Sequence, residues 1–440
     1  MPGALELLPT EQIELQRMLD LIREEFERFG FLPISTSAME LSEVLLTKSG
    51  GETERQVYLV QSTGARTQGK EPDLALRFDL TVPLARYVAE HEGELAFPFR
   101  RYQIQPVWRG ETPQRGRFRE FIQCDIDVID RGKLSIRHDA EMPAVIAGIF
   151  TRLNIGDFTI RINNRKLLRG LLIDLGVEDP DRQTDVLREL DKLGRDGEQS
   201  VETALLDKGL SPEAASRLLQ LAGRGPVRGD DAITLLESLP DANSLLVEGK
   251  TELLTVFALL AAQGIDPRKV ALDVSIARGL DYYTGTVYET TLDSHPELGS
   301  ICSGGRYDDL ASLYTSSKLP GVGISIGLTR LFWQLREVGL VGQGSTTVRV
   351  LLTLLDDPGL TVTLGIARDL RAAGINTEVT LEAGKLSRQL RYADRAGIPI
   401  VVIAGEEERE RGTVQVRHLP TQHQQEVSVT DLVTTIQELD

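Results

Sequence analysis

Two runs rich in aromatic and β-branched residues, Phe99–Trp108 and Phe121–Ile129, lie a short, turn-rich segment apart. Such runs read as strands. Turn signals fall between them at Gly110-Glu111-Thr112-Pro113 and Gly116. The two runs are therefore expected to pair antiparallel through a long hairpin loop, and any fold for this chain must accommodate that pair. Leu74–Phe78 reads as a strand upstream of it, and Ala271–Ile276 and Thr286–Thr291 as strands further on. Near the start, Leu15, Met18, Leu19, Ile22, Phe26 and Phe29 recur at helical spacing between Pro9-Thr10 and a stop at Gly30.

The texture changes between about Asn163 and Gly264. Charged, Leu- and Ala-rich segments such as Asp185–Leu193 and Pro212–Leu221 predict a helical insertion. Gly339–Ser345 reads as a linker. Beyond it, Val348–Leu355 and Ile398–Ile403 are apolar runs suited to strands covered on both faces, with a helix ending near Gly374 between them. Thr347–Asp440 is thus expected to form a small α/β domain.

A chain of 440 residues suits two or three such domains, and 41% apolar with 26% charged residues is ordinary for a globular protein. No stretch approaches the roughly 20 apolar residues that a membrane-spanning helix needs. Met1–Thr10 lacks the basic-then-apolar pattern of a signal peptide. Cys124 and Cys302 stand far apart without metal-ligand spacing. They read as buried thiols in a reducing, cytoplasmic setting, with neither a zinc site nor a disulfide scaffold implied. A net charge of −17 argues against a non-specific nucleic-acid binder. An RNA partner would have to meet basic residues gathered locally.

Arginine is gathered in two places. In Val107-Trp108-Arg109-Gly110-Glu111-Thr112-Pro113-Gln114-Arg115-Gly116-Arg117-Phe118-Arg119-Glu120-Phe121, four guanidinium groups crowd one hairpin. Hairpin loops are often charged and merely solvated. Arg109, however, sits inside an aromatic strand, where an unpaired charge is costly, and Arg pairs bidentately with phosphate. In the C-terminal region, Lys385, Arg388, Arg391 and Arg395 recur at three- and four-residue intervals, a stripe on one helix face. That stripe fits a solvated face or an RNA contact.

The hairpin resembles motif 2 of the class II aminoacyl-tRNA synthetases in its histidyl form. Other segments are similar to that family in the same order. They are Arg77-Phe78-Asp79-Leu80-Thr81-Val82-Pro83, Gln123-Cys124-Asp125-Ile126-Asp127, Ala277-Arg278-Gly279-Leu280-Asp281-Tyr282-Tyr283-Thr284-Gly285 and Gly304-Gly305-Arg306-Tyr307-Asp308. Gly321-Val322-Gly323-Ile324-Ser325-Ile326-Gly327-Leu328-Thr329-Arg330-Leu331 resembles motif 3. The resemblance runs from about residue 5 to the C-terminus. It implies an α+β fold: a catalytic domain on an antiparallel sheet (1–162 and 265–338), a helical insertion domain (163–264) and a C-terminal α/β anticodon-binding domain (346–440). It also implies a histidine–tRNA ligase that uses ATP and Mg²⁺, binds L-histidine and tRNA(His), and forms a cytoplasmic homodimer.

The resemblance assigns roles residue by residue. Arg109 would grip the ATP α-phosphate, Arg117 and Arg330 the γ-phosphate, and Glu111 would lie by the adenine or a metal; the metal ligands themselves stay open. Arg278 would act as a catalytic residue with Arg109, touching the α-phosphate and the histidine carboxylate together. Asp79, Thr81 and Gln123 would receive the α-ammonium, and Asp127 and Tyr283 the two ring nitrogens, with Tyr282 beside them. Gln114 and Arg115 would reach the tRNA acceptor end, and the basic stripe the anticodon stem.

Three features depart from the family pattern. Ser37 stands where motif 1 usually has proline, the N-terminal opening lacks its usual basic residues, and Gly110 and Thr112 replace commoner aromatic or charged residues. A rival function belongs to a paralogue of the family, the non-catalytic regulatory subunit of ATP phosphoribosyltransferase. Such proteins typically lose the Arg278-type loop and the C-terminal domain, both of which this sequence retains.

Overall fold

The computed structural model describes the chain except residues 1–2, 47–55, 113–115, 278–282, 309–310, 313, 343, 345 and 440, and the side chain of residue 195. Four of the residues singled out above, Gln114, Arg115, Arg278 and Tyr282, lie outside the described residues. The chain forms two compact units, one chiefly Met18–Val341 and the other Gly342–Asp440 with Glu6–Arg17.

The first unit is built on a nine-stranded sheet. Its strands are β1 (Leu32–Pro33), β5 (Phe99–Trp108), β6 (Glu120–Ile129), β7 (Phe158–Asn164), β8 (Val227–Arg228), β9 (Val270–Leu272), β10 (Thr286–Leu292), β11 (Cys302–Tyr307) and β12 (Gly321–Gly327). They lie in the order β1-β5-β6-β12-β11-β10-β7-β9-β8. All pairings are antiparallel except β1 with β5 and β7 with β9. The expected hairpin is present: β5 and β6 pair along their whole length, from Phe99 opposite Ile129 to Trp108 opposite Glu120.

Strand alternation gives this sheet two faces. Cys124, Ile126, Val128, Val322, Ile324 and Ile326 point to one face and are buried. There the β12 residues meet the Arg137–Leu153 helix, whose Asp139 carbonyl accepts the Tyr288 hydroxyl at 2.8 Å. Both cysteines are buried, as expected. The N-terminal helix runs Pro9–Arg28 and buries Leu15, Met18, Ile22 and Phe26; Gly30, at φ 76°, ends the run.

Ala271–Ile276 is strand only at its start. After Leu272 the Asp273 carboxylate accepts the Ser275 N–H at 3.0 Å and its hydroxyl at 2.6 Å, which turns the chain. The expected insertion is helical, from Arg165–Asp174 to Ser244–Ala262, broken only by β8. Its first and last helices pack on each other and on β7.

A small sheet, β2 (Met39–Leu41), β4 (Leu74–Leu76) and β3 (Tyr58–Val60), precedes the hairpin, with β4 central. One face carries Met39, Leu41, Leu74, Leu76, Tyr58 and Val60, all half-exposed or exposed in this chain. The segment before it is clamped by Arg77. Fully buried, Arg77 donates to the Thr36 carbonyl at 2.8 Å, the Ser37 carbonyl at 3.1 Å and the Pro106 carbonyl at 3.0 Å. Ser37 therefore keeps a backbone role, and its hydroxyl caps the Met39 N–H at 3.2 Å.

The second unit has a mixed five-stranded sheet in the order β14-β13-β15-β16-β17, with β13 (Val350–Leu352), β14 (Thr377–Val379), β15 (Ile400–Ile403), β16 (Thr413–His418) and β17 (His423–Ser428). The Leu360–Ala372 helix ends just before Gly374, as expected. The β16–β17 hairpin was not expected; its polar composition, such as His423-Gln424-Gln425-Glu426, hides strand periodicity. No helix among the described residues is long and apolar enough to cross a membrane.

Candidate active site

The second face of the large sheet is polar. Gln105, Gln103 and Arg101 on β5 lie opposite Gln123, Asp125 and Asp127 on β6. Gly327, Ser325 and Gly323 on β12 follow in the same rows, then Ser303 and Gly305 on β11. Small residues in the middle strands hollow the floor, and larger polar side chains border it.

Above this floor is a cleft of about 590 Å³, within the size range of small-molecule sites. Asp79, Thr81, Arg109, Glu111, Arg117, Gln123, Tyr283 and Arg330 all line it, although they come from widely separated segments. Asp79 lies just before the Thr81–Glu90 helix, and its Oδ1 accepts the Val82 N–H at 3.1 Å. Its Oδ2 is buried and has no hydrogen-bond partner among the described residues. Gln123 donates its amide N–H to Ser325 Oγ at 2.8 Å, and its buried Oε1 has no partner among the described residues either. Two acceptors therefore await donors at the histidine end of the predicted site. The Tyr283 carbonyl accepts from Arg165 Nε at 3.2 Å.

The cationic side is built on the hairpin. Arg109 donates from Nε to the Phe78 carbonyl at 3.0 Å and stacks over the Phe121 ring at 5.1 Å, so its guanidinium is aimed. Arg119 Nε reaches the Glu111 carbonyl at 3.1 Å and ties the hairpin across its neck. Gly116 adopts φ 74° and presses on the Trp333 ring, a close approach a side chain would block. Arg117 is half-exposed, 3.7 Å from the Glu111 carboxylate. Arg330 has a buried Nε without a partner among the described residues. Burial lowers its pKa, and the neighbouring positive charge of Arg117 lowers it further. Two guanidinium groups this close, with the Glu111 carboxylate beside them, have the chemistry to receive an anion.

Asp127 does not line the cleft. It points to the same face as Gln123, two rows deeper, where its carboxylate is ion-paired with Arg101 and accepts the Tyr307 hydroxyl at 2.8 Å. Arg101 and Tyr307 escaped the reading of the sequence. The signal for Arg101 was present: Arg101, Gln103 and Gln105 alternate on β5 as Gln123, Asp125 and Asp127 do on β6. Burial pushes the Asp127 carboxyl up to about 6 and Asp125 to about 7, against the opposing pull of Arg101. Burial also raises Asp79. No group of three or more His, Cys, Asp or Glu among the described residues is placed to hold a metal ion.

In the second unit, Lys385 precedes the Leu386–Ala396 helix, which carries Arg388, Arg391 and Arg395. All four are exposed, and none is drawn into an ion pair among the described residues. The opposite side of the helix buries Gln389 and Ala393.

An antiparallel sheet whose polar face bears an arginine-rich hairpin and a second arginine after a Gly-rich strand defines a class II aminoacyl-tRNA synthetase. The family model for Histidyl-tRNA synthetase matches residues 3–331, and that for Anticodon binding domain matches residues 356–439. The chain is 57% identical over 448 residues to the histidine–tRNA ligase of Stenotrophomonas maltophilia (strain K279a), covering 99% of this chain and 97% of that protein. It is 56% identical over 450 residues to that of Xylella fastidiosa (strain M23), with the same coverage. Histidyl-tRNA synthetase from Nostoc sp. PCC 7120 superposes with a TM-score of 0.90 at 39% identity, over 99% of this chain and 98% of that one. The chain belongs to the histidyl-tRNA synthetase family.

The raised carboxyl of Asp125 has a consequence for stability. A buried acid that titrates near 7 when folded, and near about 4 when unfolded, binds its proton more tightly in the native state. It therefore penalises folding increasingly as pH rises between those values, and fully above the folded one. Asp125→Asn should melt above the wild type at pH 8, with the gap narrowing by pH 5. Trp108 and Trp333, the two tryptophans, both lie in the first unit and report its unfolding by fluorescence. A gap that does not change with pH would refute this account.

Proposed function

We propose that the chain activates histidine with ATP to histidyl-adenylate and transfers the histidyl group to the 3′ end of tRNA(His). The observation that carries this reading is the pairing, in one cleft, of arginines (Arg109, Arg117, Arg330) with buried acceptors that have no partner among the described residues (Asp79 Oδ2 and Gln123 Oε1). In the first step the histidine carboxylate attacks the α-phosphorus in line and pyrophosphate leaves. The nucleophile is already an anion, so the task is positioning and charge neutralisation. Arg109 holds the α-phosphate, and Arg117 and Arg330 the γ-phosphate. Asp79, Thr81 and Gln123 receive the α-ammonium, and Asp127 and Tyr283 define the ring's place, with Tyr282 adjoining. Arg278 bridges the carboxylate and the α-phosphate. Mg²⁺ carried in by ATP would neutralise phosphate charge, and a site of one or two carboxylates suits it; Glu111 and Glu289, both lining the cleft, would hold it.

Residues 1–162 with 265–338 serve as the catalytic domain, 163–264 as the insertion and 346–440 as the anticodon-binding domain, in a cytoplasmic homodimer. Gln114 and Arg115 face the acceptor end of the tRNA. The regulatory-subunit reading is not favoured. The near-full-length relatives at 56–57% identity are histidine–tRNA ligases. The Bacillus halodurans C structure described as an ATP phosphoribosyltransferase regulatory subunit/histidyl-tRNA synthetase shares 22% identity at a TM-score of 0.72, a likeness of fold alone.

Pyrophosphate exchange with each standard amino acid tests the function. Histidine should be preferred over apolar analogues by on the order of 10⁴, because they leave buried polar groups unpaired. In the same assay Arg278→Ala should be slower by about 10² to 10³. Equal exchange with leucine would end the proposal.

The apolar face of the β2-β4-β3 sheet supports the homodimer, since an exposed face of this composition is where two copies would meet. Light scattering at micromolar concentration should give twice the 48.6 kDa chain mass; a monomer would refute it. The exposed stripe supports a tRNA contact. Charge reversal of Arg388 and Arg391 should weaken tRNA binding while exchange stays near wild type. Parallel loss of both would point to misfolding and remove the assignment.

A further inference from the structure

Arg101 is the most deeply buried cation of the catalytic unit, with no exposed surface at all. It sits on β5 directly across from Asp127 and pairs with the Asp127 carboxylate. A second contact runs from its Nη1 to the Asp125 carbonyl at 3.4 Å, and its Nε has no partner among the described residues. Desolvating a guanidinium is expensive, and buried ion pairs can usually be replaced by apolar residues without loss of stability. Fold stability is thus a poor reason for a charge here.

What Arg101 does hold is one carboxylate in one orientation. Asp127 Oδ1 accepts the Tyr307 hydroxyl, and Oδ2 faces Arg101. Across the next strand is Gly323, where any side chain would occupy the place of the Asp127 carboxylate. A carboxylate offers about four acceptor positions, so each oxygen keeps one for a further donor. Gln123 and Tyr283, which line the cleft, mark the side from which that donor arrives.

We propose that Arg101 is a positioning residue for histidine recognition, fixing the Asp127 carboxylate as the acceptor for an imidazole N–H. The proposal rests on the reading of Asp127 as the ring's partner. Three buried carboxylates, Asp79, Asp125 and Asp127, crowd this region. Asp79 also feels Arg109, whereas Arg101 is the cation that opposes the effect of burial on Asp125 and Asp127. Without it, burial would act on the Asp127 carboxyl unopposed by that charge and favour its protonated form. It could then turn its hydroxyl to the ring in place of a charged acceptor, and the distinction between imidazole and an apolar ring would blur.

The test is a double-mutant cycle read by pyrophosphate exchange, with KM measured separately for histidine and ATP. Arg101→Met should raise the histidine KM about 10- to 100-fold, the range for losing a hydrogen bond to a charged group, and leave the ATP KM within about twofold. Arg101→Lys should recover part of the loss. Arg101→Met/Asp127→Asn should have a histidine KM no higher than Asp127→Asn alone, because Arg101 acts only through Asp127. Additive losses, an equal rise in the ATP KM, or an unchanged histidine KM in Arg101→Met would overturn the proposal. If Arg101→Met does not fold, Arg101→Lys with and without Asp127→Asn completes the same cycle, and additivity there overturns it equally. A wild-type histidine KM in Asp127→Asn would instead refute the reading of Asp127 on which the inference rests.

Discussion

The register of β5 against β6 decides what the rest of the catalytic unit can do. With Phe99 opposite Ile129 and Trp108 opposite Glu120, every odd-numbered residue from Arg101 to Gln105 meets an odd-numbered residue from Gln123 to Asp127 on one face. A slip of one residue would send that polar set into the core and the isoleucines into the cleft. The same pairing brings Arg109 back beside Arg119 at the neck of the loop, where the Arg109 N–H donates to the Arg119 carbonyl at 2.9 Å. Sheet pairing and the geometry of the arginine hairpin are thus one constraint.

The two faces carry opposite energetic burdens. Apolar burial on the Arg137–Leu153 side supplies the driving force for folding. The cleft side spends part of it on buried ionisable groups: Asp79, Asp125 and Asp127 all lie where their charged forms are disfavoured. A scaffold that is rigid on one side can hold such groups in place on the other.

Much of this was legible in the sequence because it is local. The hairpin strands, the N-terminal helix and the helical insertion follow from periodicity and turn chemistry within short windows. The arginines of the cleft were visible as a cluster out of character with a strand. What escaped depends on distant pairing. Arg101 looks like one of two adjacent basic residues at a strand start until β6 is laid beside it, and Tyr307 reaches Asp127 only through β12, which lies between their strands. Ala271–Ile276 misled because Asp273, a turn former by its own side chain, sits inside an apolar run. The β16–β17 hairpin was hidden for the reverse reason: its exposed strands have little apolar content to alternate.

Arg117 and Arg330 stand close enough for one to depress the other's affinity for its proton. Two like charges so arranged are a local conflict in the energy of the folded chain, only partly offset by the Glu111 carboxylate beside them, and under the proposed function a polyphosphate between them would convert it into attraction. Nucleotide then acts on the whole folding equilibrium as well as on catalysis. A ligand that binds only the native state adds about 2.7 kcal/mol of stability at a hundred times its Kd. Under the proposed assignment, the arginine pair would make bound ATP a stabiliser of the fold as well as a substrate.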